Sequence, residues 1–229
     1  MDAATLKQQA AERAVTEIRS GMAVGLGTGS TAHFVVEAVG RRLREGLLHD
    51  IVCIPTSEVT AEHARKLGIP LTTFDRHPVL DIAIDGADEV APDMSLVKGL
   101  GGALLREKIV ESAARRLVIV VDESKLVRKL GTKAPLPVEV VPFGWETLPG
   151  RIRAMGAEPV LRKAKDGSVF VTDGHHHILD CRWPNGIHDP SRIHSELKRM
   201  VGVVETGLFI GMASEVIVAG ADGIRTIKK

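Results

Sequence analysis

The sequence has few aromatic residues and no tyrosine. Phe, Trp and Tyr together make up 3% of the 229 residues, so the stacking platforms that hold single-stranded bases are scarce. Lys and Arg total 30 against 29 for Asp and Glu, a net charge of +1, which provides no overall field for a phosphate backbone. We therefore expect no nucleic-acid partner.

Cysteines and long apolar runs are also scarce. Cys53 and Cys181 are far apart and lack a Cys-x-x-Cys spacing; both stand in apolar runs, so we expect reduced core thiols rather than a disulfide. No stretch approaches the roughly 20 apolar residues of a membrane span, and no charged segment followed by an apolar one opens the sequence. These absences predict a cytoplasmic protein with no membrane partner.

Apolar strands alternate with helical patterns over the first half of the chain. The pattern predicts strands at 22–26, 51–54, 80–84 and 117–121, and helices at 32–43, 59–67 and 103–115. Before them, Thr5 and Gln8 match a capping box for a helix that stops at Gly21. This order is typical of a Rossmann-like parallel α/β sheet flanked by helices, in which ligands bind beyond the carboxyl ends of the strands.

A cluster of prolines, Pro135, Pro137 and Pro142, indicates the passage into a second unit. The pattern after it predicts a strand near 138, a helix at 145–155, strands near 160 and 169, a helix at 191–200 and a strand at 203–208. This β-α-β-β-α-β order predicts a smaller ferredoxin-like α+β domain. We expect it to span 131–207, and we expect 1–130 with 208–229 to form the catalytic domain, its final hairpin rejoining the first sheet.

A glycine-rich turn, Gly27-Thr28-Gly29-Ser30-Thr31, follows the first predicted strand and opens a helix. Backbone N–H groups, hydroxyls and the positive end of the helix dipole converge there, which predicts an anion site, most simply for a phosphate. A turn that only reverses the chain fits a lone Gly-x-Gly equally well. It is a poor dinucleotide motif, because Ser30 stands where the third glycine belongs and no acidic residue follows the next strand.

Two carboxylates occupy the turn Asp85-Gly86-Ala87-Asp88, directly after the predicted strand 80–84. Because two nearby like charges raise the cost of ionising both, one of them could hold a proton and act as an acid. Asp and Gly are also common in solvated turns, which is the alternative interpretation.

A second glycine-rich segment, Lys98-Gly99-Leu100-Gly101-Gly102, precedes the helix that contains Glu107. Its glycines let backbone approach a ligand closely, and Lys98 brings a cation. Glu107 would more often be an exposed residue paired with a nearby lysine, but Glu107 and Glu111 are spaced to repel. Lys125, just after the predicted strand 117–121, suits a phosphate or sugar hydroxyl, or is a solvated lysine.

The tract His175-His176-His177 raises the question of a metal site. In a strand, however, His175 and His177 would face one way and His176 the other. We therefore expect a polar, structural or interface role for the tract, and we predict no metal site.

Taken together and in order, these segments closely resemble the ribose 5-phosphate isomerase A family. The resemblance is carried by residues 25–31, Asp85-Gly86-Ala87-Asp88-Glu89, Lys98-Gly99-Leu100-Gly101-Gly102-Ala103, Leu105-Arg106-Glu107-Lys108, Asp122-Glu123-Ser124-Lys125, 135–140 and 202–209. The sequence departs from the family's usual turn where Asp173-Gly174 runs into the three histidines.

The resemblance implies interconversion of D-ribose 5-phosphate and D-ribulose 5-phosphate through an enediolate, in the non-oxidative pentose phosphate pathway. It implies that Glu107 is the base. For this reaction we expect Lys98 to meet the developing charge, and Asp85 and Asp88 to open the ring and move hydroxyl protons. The implied substrate-binding residues are Thr28, Gly29, Ser30, Thr31, Asp85, Gly86, Ala87, Asp88, Lys98, Gly99, Leu100, Gly101 and Lys125. No metal or other cofactor is implied, and a homodimer or homotetramer is.

Two other classes of function stay open on the sequence alone. A non-catalytic sugar-phosphate sensing module would bind the same ligand, although the sequence lacks a helix-turn-helix segment or basic patch. A nicotinamide-dependent oxidoreductase is the less favoured class, because the third glycine and the ribose-binding carboxylate of its motif are missing.

Overall fold

The computed structural model describes residues 2–228. Helices α1–α6 span Ala3–Val15, Ser30–Arg44, Glu58–Lys66, Leu104–Ser112, Leu148–Arg153 and Pro190–Lys198. Strands β1–β13 span Ala23–Leu26, Val52–Pro55, Ile82–Asp85, Glu89–Val90, Leu96–Val97, Leu117–Asp122, Leu136–Val140, Glu158–Leu161, His177–Arg182, Val203–Thr206, Leu208–Phe209, Glu215–Gly220 and Gly223–Lys228. Single 3-10 turns cover Glu123–Lys125 and Trp145–Thr147.

The chain forms two compact units that exchange segments along the sequence. The first contains the residues up to Ala87, then Arg106–Lys125, and those from Met212 onward. The second contains Asp88–Leu105 and Leu126–Gly211. The division predicted from the sequence assigned residues 88–105, and also 126–130 and 208–211, to the first domain, whereas all three segments belong to the second unit. Residues 88–105 and 208–211 group together, because β5 pairs with both β4 and β11.

The first unit is built on a six-stranded sheet in the order β13-β12-β6-β3-β1-β2. Strands β2, β1, β3, β6 and β12 run parallel, and β13 pairs antiparallel with β12 as a hairpin. The Rossmann-like sheet and the returning hairpin are therefore confirmed. Since side chains alternate along a strand, Val24 and Leu26 join the core with α1 and α2, while Ala23 contributes to a cluster with Val110 of α4 on the other face.

Helix α4 lies very close to this sheet. A Cβ built on Gly25 of β1 would come within 2.7 Å of Cγ1 of Val110 and 2.9 Å of Cβ of Ala83. A larger residue than glycine would push α4 away from β1 and β3. At the far end of the helix, Ala114 bridges to Leu80 near the start of β3, so α4 runs from the carboxyl edge of the sheet towards its amino edge.

The second unit contains an antiparallel sheet in the order β10-β7-β9-β8. Its element sequence is β7, α5, β8, β9, α6 and β10, which is the predicted β-α-β-β-α-β order of a ferredoxin-like unit. Its core packs Leu148 and Ile152 of α5 and Ile193 and Leu197 of α6 against the sheet. A small sheet, β11-β5-β4, completes the unit.

Several local predictions were wrong. Helix α1 begins earlier than the capping box implied, because the side chain of Asp2 accepts from the backbone N–H of Thr5 at 2.7 Å. The strand predicted near 169 is reduced to a bridge between Lys163 and Val169, and the partner of β8 is β9. The two-residue strands β4, β5 and β11 were not predicted, since they are too short to show an alternating pattern.

Both cysteines are free and buried, as predicted. Burial raises the pKa of the Cys53 thiol to about 12 and also raises that of Cys181, so both behave as small apolar residues. Among residues 2–228, none of the helices has the length and apolar character needed to cross a membrane.

Candidate active site

In the first unit, Asp85 at the end of β3 shapes the turn that follows β1. Its carboxylate is 1% exposed, and its Oδ1 accepts from the backbone N–H of Thr28 at 3.0 Å and of Gly86 at 2.6 Å. A Cβ built on Gly27 would overlap this carboxylate, so glycine is needed there. The carboxyl ends of β1 and β3 are thus tied together by one side chain.

The hydroxyl of Thr28 belongs to a cluster at the start of α3. Its Oγ1 lies 2.6 Å from Oγ1 of Thr56, 2.8 Å from Oγ of Ser57 and 3.0 Å from Oγ1 of Thr60. Thr60 in turn donates to the carbonyl of Gly27 at 3.0 Å. The Thr28 side chain therefore holds the turn in place. Its three partners were not predicted from the sequence, where the only sign of them was the predicted strand that ends just before Thr56.

Helix α2 starts without a side-chain cap. Its N-cap, Gly29, has a φ of 117° and makes no capping side-chain bond, whereas α1, α3 and α6 are capped by Asp2, Ser57 and Asp189. The first amides of a helix need acceptors. Without a cap, and with the positive end of the helix dipole beside them, they suit an anion.

A cation reaches this helix start from α1. Nζ of Lys7 donates to Oγ of Ser30 at 3.0 Å, which brings an ammonium beside the turn. Lys7 was not predicted from the sequence, because 23 residues separate it from Ser30 and its own surroundings carry no motif. Thr31, the next residue, is buried, and its Cβ would lie 3.8 Å from a Cβ built on Gly86.

Glu107 is buried in the first unit, with 4% of its surface exposed. The exposed-residue alternative is therefore wrong. Val110, one turn later in α4, lies against Gly25 at mid-strand, so Glu107 lies one turn closer to the carboxyl edge, where the Gly27 and Asp85 backbone segments are found. On the neighbouring residue, Nη1 of Arg106 donates to Oε1 of Glu58 at 2.8 Å, and this bond lowers the pKa of Glu58.

Lys125 ends the short 3-10 turn that follows β6. It is half-buried, and the turn before it is organised by Asp122, whose Oδ1 accepts from the backbone N–H of Ser124 at 3.0 Å. Lys125 thus follows the carboxyl end of a central strand, as predicted.

In the second unit, Asp88 holds the glycine-rich loop that follows β5. Its backbone N–H donates to the carbonyl of Val97 at 2.8 Å, and its Oδ2 accepts from the N–H of Leu100 at 2.9 Å. Asp85 and Asp88 belong to the same short sequence motif but hold different segments. Asp85 fixes the turn at 27–28, and Asp88 fixes the loop at 98–102.

Lys98 is buried, with 2% of its surface exposed. Its N–H donates to the carbonyl of Gly207 at 2.9 Å, and its Nζ lies 5.4 Å from the centre of the Phe209 ring, a distance at which a cation is attracted to the ring face.

Arg162 braces the loop 98–102 from outside. Its Nη1 donates to the carbonyls of Gly99 at 2.9 Å and Leu100 at 3.1 Å, while Nε and Nη2 bind both oxygens of Asp180 at 2.9 and 2.5 Å. A fork of this kind holds its partners in one orientation. Arg162 was missed in the sequence, because more than 60 residues separate it from the loop.

The comparisons with known proteins agree with this architecture. The model of the family described as ribose 5-phosphate isomerase A (phosphoriboisomerase A) matches residues 52–223. The chain belongs to this family. Ribose-5-phosphate isomerase A from Synechococcus sp. (strain JA-3-3Ab) is 53% identical over 226 residues, 98% of this chain and 97% of the relative.

Solved structures of the family match over the full length. A D-ribose-5-phosphate isomerase in complex with phospho-erythronic acid superposes with a TM-score of 0.97 at 36% identity, covering 100% of both chains. The ribose 5-phosphate isomerase from Plasmodium falciparum gives a TM-score of 0.95 at 40% identity, covering 99% of each chain. The resemblance inferred from the ordered motifs and the predicted fold class are both confirmed.

Besides Asp85, the motif Asp85-Gly86-Ala87-Asp88-Glu89 contains a second buried carboxylate, and its role is structural. Glu89, which follows Asp88, is fully buried and accepts from the backbone N–H groups of Gly131 at 2.5 Å, Lys133 at 2.5 Å and Ala134 at 2.8 Å. It fixes the segment that leads into β7.

The histidine tract, where the sequence departs from the family, is not one continuous strand. Strand β9 begins only at His177, and His175 has a φ of 60° in the turn after Asp173 and Gly174. The expected alternation of the three side chains was therefore wrong. His176 points back to β7, with Nδ1 lying 3.0 Å from Oε1 of the buried Glu139.

Proposed function

We propose that this chain interconverts D-ribose 5-phosphate and D-ribulose 5-phosphate, a step of the non-oxidative pentose phosphate pathway. The observation that carries the proposal is a buried glutamate, Glu107, in a chain that matches ribose-5-phosphate isomerases A over nearly its whole length. A non-catalytic sensing module is not favoured, since the relatives at this level of identity bear the name of an enzyme.

Glu107 is the base in this proposal. It removes the weakly acidic proton from C2 of the open-chain aldose, and the same carboxyl group returns a proton to C1 of the enediolate. Both carbons present a proton position on one face, so one side chain suffices for both transfers. The burial of Glu107 excludes water, which otherwise competes for the proton.

Lys98 and the loop that follows it stabilise the enediolate. Negative charge develops on the substrate oxygens as the proton leaves, and fixed donors lower its energy without reorganising. The buried ammonium of Lys98 and the amides of Gly99 and Gly101 are donors of this kind, whereas the N–H of Leu100 donates to Asp88. The Arg162 brace supports this role, because it limits the movement of the loop.

The turn 27–31 binds the phosphate. Its uncapped helix start, the hydroxyls of Ser30 and Thr31 and the ammonium of Lys7 together offer an anion the contacts it needs. Lys7 is an addition to the residues predicted from the sequence. Thr28 shapes the turn, since its backbone N–H donates to Asp85 and its hydroxyl is engaged with the start of α3.

Asp85 and Asp88 open the furanose ring and move protons between the substrate hydroxyls. Each is already oriented by backbone amides, which fixes its carboxylate for such transfers. Gly86 and Ala87, which stand between the two aspartates in the sequence, contact the substrate. Lys125 binds a sugar hydroxyl or the phosphate.

A direct assay tests the activity. Purified protein is incubated with ribose 5-phosphate, with and without a chelator, and ketose formation is followed. We expect turnover in both samples and no need for added nucleotide. A sensing module would produce no ketose, and turnover that disappeared with chelator would overturn the metal-free mechanism.

We also propose that the chain forms a homodimer or homotetramer. Phe143 and Val201 are exposed at 94% and 89%, and the bond from the N–H of Val141 to the carbonyl of Gly202 at 2.8 Å joins their segments into one apolar patch. Light scattering should detect an oligomer that Phe143→Ser weakens. Val59→Ser, at an exposed valine of α3, is the matched control. A monomeric parent protein would contradict the proposal.

A further inference from the structure

Three side chains of metal-ligand type meet on helices α2 and α3, apart from the proposed catalytic residues. His33 and Glu37 are spaced i, i+4 on one face of α2, and His63 stands opposite them on α3. Within residues 2–228 they form the one group of three such residues whose ligand atoms all lie within 4.8 Å of one another. This group was not predicted from the sequence, because His63 is 26 residues from Glu37.

The two imidazoles share an orientation. Their rings are stacked, with centroids 4.4 Å apart and planes inclined by 14°, and Nε2 of His63 lies 2.7 Å from Oε1 of Glu37. The hydrogen bond accounts for the position of His63 beside Glu37. It does not account for the His33 ring, which stacks on His63 and meets the Phe34 ring edge-on at 5.7 Å between centroids.

The cluster is open enough for an ion to enter. The side chains of Glu37 and His63 are 45% and 20% exposed, and His33 is exposed as well. An ion held there would keep room for water in its remaining coordination positions, as zinc does at sites with three protein ligands.

We propose that His33, Glu37 and His63 bind one divalent transition-metal ion, with Zn²⁺ the best match to two imidazoles and one carboxylate. Tetrahedral zinc, with ligands about 2.0–2.1 Å away, needs ligand atoms about 3.3 Å apart. Binding therefore lengthens the 2.7 Å contact and brings the three ligand atoms, which already lie within 4.8 Å of one another, to that spacing. The exposed His33 and the partly exposed Glu37 and His63 can rotate towards this spacing, and the ion takes the place of the hydrogen bond between His63 and Glu37.

The ion would link two helices that start at the phosphate-binding turn. Helix α2 begins at Ser30, and α3 begins after Ser57, which is joined to the turn through Thr28. A ligand that binds only the folded chain stabilises it by mass action. The site is thus a brace between α2 and α3, and it takes no part in the isomerase chemistry.

Titration of the full, tag-free chain tests the site. After chelator treatment and its removal, ZnCl₂ is added in a calorimeter, and Co²⁺ absorption reports the ligand geometry. We expect one ion per chain and a higher thermal midpoint with zinc. His33→Gln, Glu37→Gln and His63→Gln should each weaken binding by at least about tenfold, while their thermal midpoints in chelator stay near that of the parent.

Two controls separate this site from other histidines. His49→Gln removes an exposed histidine that lies beside Asp50 at 2.8 Å without a third ligand, and binding should not change. The double variant His175→Gln/His177→Gln removes the histidine tract, and again binding should not change. No binding by the parent, unchanged binding by His63→Gln, or loss of binding only in the tract variant would each overturn the proposal.

Discussion

Two glycine-rich segments precede helices in this chain, and they are held in different ways. The turn 27–29 before α2 is fixed from beneath by Asp85 and by the hydroxyl cluster around Thr28. The loop 98–102 before α4 is fixed by Asp88 on one side and by Arg162 on its carbonyls. The turn 27–29 leads into the uncapped start of α2, where Lys7 contacts Ser30. The loop 98–102 leads into α4, the helix that carries Glu107.

We infer from this difference that the two segments serve different steps, substrate binding for the turn 27–31 and chemistry for the loop 98–102. A phosphate is bound similarly in the ground state and in the transition state, so damage to the turn 27–31 should mainly raise KM. The charge on an enediolate exists only along the reaction path, so damage around the loop 98–102 and α4 should mainly lower kcat. Variants at Glu107 and Arg162 test the effect on kcat, and variants at Lys7 and Ser30 test the effect on KM.

Glu107→Gln is expected to have the largest effect. The amide keeps the shape of the side chain but cannot accept the proton, so kcat should fall by at least ~10² with a modest change in KM. Steady-state kinetics with ribose 5-phosphate measures both. Glu62→Gln, at an exposed glutamate paired with Lys66, is the control and should be near normal. Near-normal turnover by Glu107→Gln would remove it from the role of base.

Arg162→Ala should follow. It leaves Asp180 and two loop carbonyls without their donor, which should lower the free energy of unfolding by about 2–4 kcal/mol. As a positioning residue it should also lower kcat about tenfold with little change in KM, because the loop is no longer braced.

Asp180→Asn provides the matched control for Arg162. It weakens the ion pair while leaving Arg162 in reach of Gly99 and Leu100, so it should lose stability but keep most of kcat. If both variants lose stability and neither loses kcat, the brace is purely structural and the comparison between the two segments fails.

The loop 98–102 follows β5 of a small antiparallel sheet, which the sequence did not predict. The positions of the turn 27–31, Asp85 and Lys125 could be predicted from the sequence, because loops after parallel strands meet at one edge of the sheet. Their supports could not. Lys7, Thr60 and Arg162 each contact a motif that is distant in the sequence, and no local pattern marks them. Single-residue contacts of this kind depend on how helices and strands pack, which composition and periodicity do not encode.

The errors in the fold have a similar origin. The short strands β4 and β5 form because the chain folds back to bond Asp88 and Val97, and two residues cannot show a strand period. Helix α1 starts at Ala3, directly after its N-cap Asp2, because an aspartate caps as well as a threonine. The left-handed φ of His175 lies in the turn after Gly174. The prediction of one continuous strand through the three histidines did not allow for this turn.

Lys7→Ala tests the binding side of the comparison. Loss of an ammonium beside the proposed phosphate should raise KM about tenfold, in line with a charge-assisted contact, and leave kcat within about twofold. The parent's KM should also rise with salt more steeply than the variant's. Lys66→Ala, at an exposed i, i+4 pair, is the control. A fall in kcat without a change in KM would assign Lys7 to the chemistry and break the division.

Ser30→Ala should have the smallest effect, about a threefold rise in KM, since one neutral hydroxyl contributes less than a charge. Because Nζ of Lys7 lies 3.0 Å from Oγ of Ser30, the two side chains hold each other in place as well as contacting the anion. The double variant Lys7→Ala/Ser30→Ala should therefore raise KM by less than the product of the two single effects. A full product would mean that the two groups act independently, and that their contact has no part in binding.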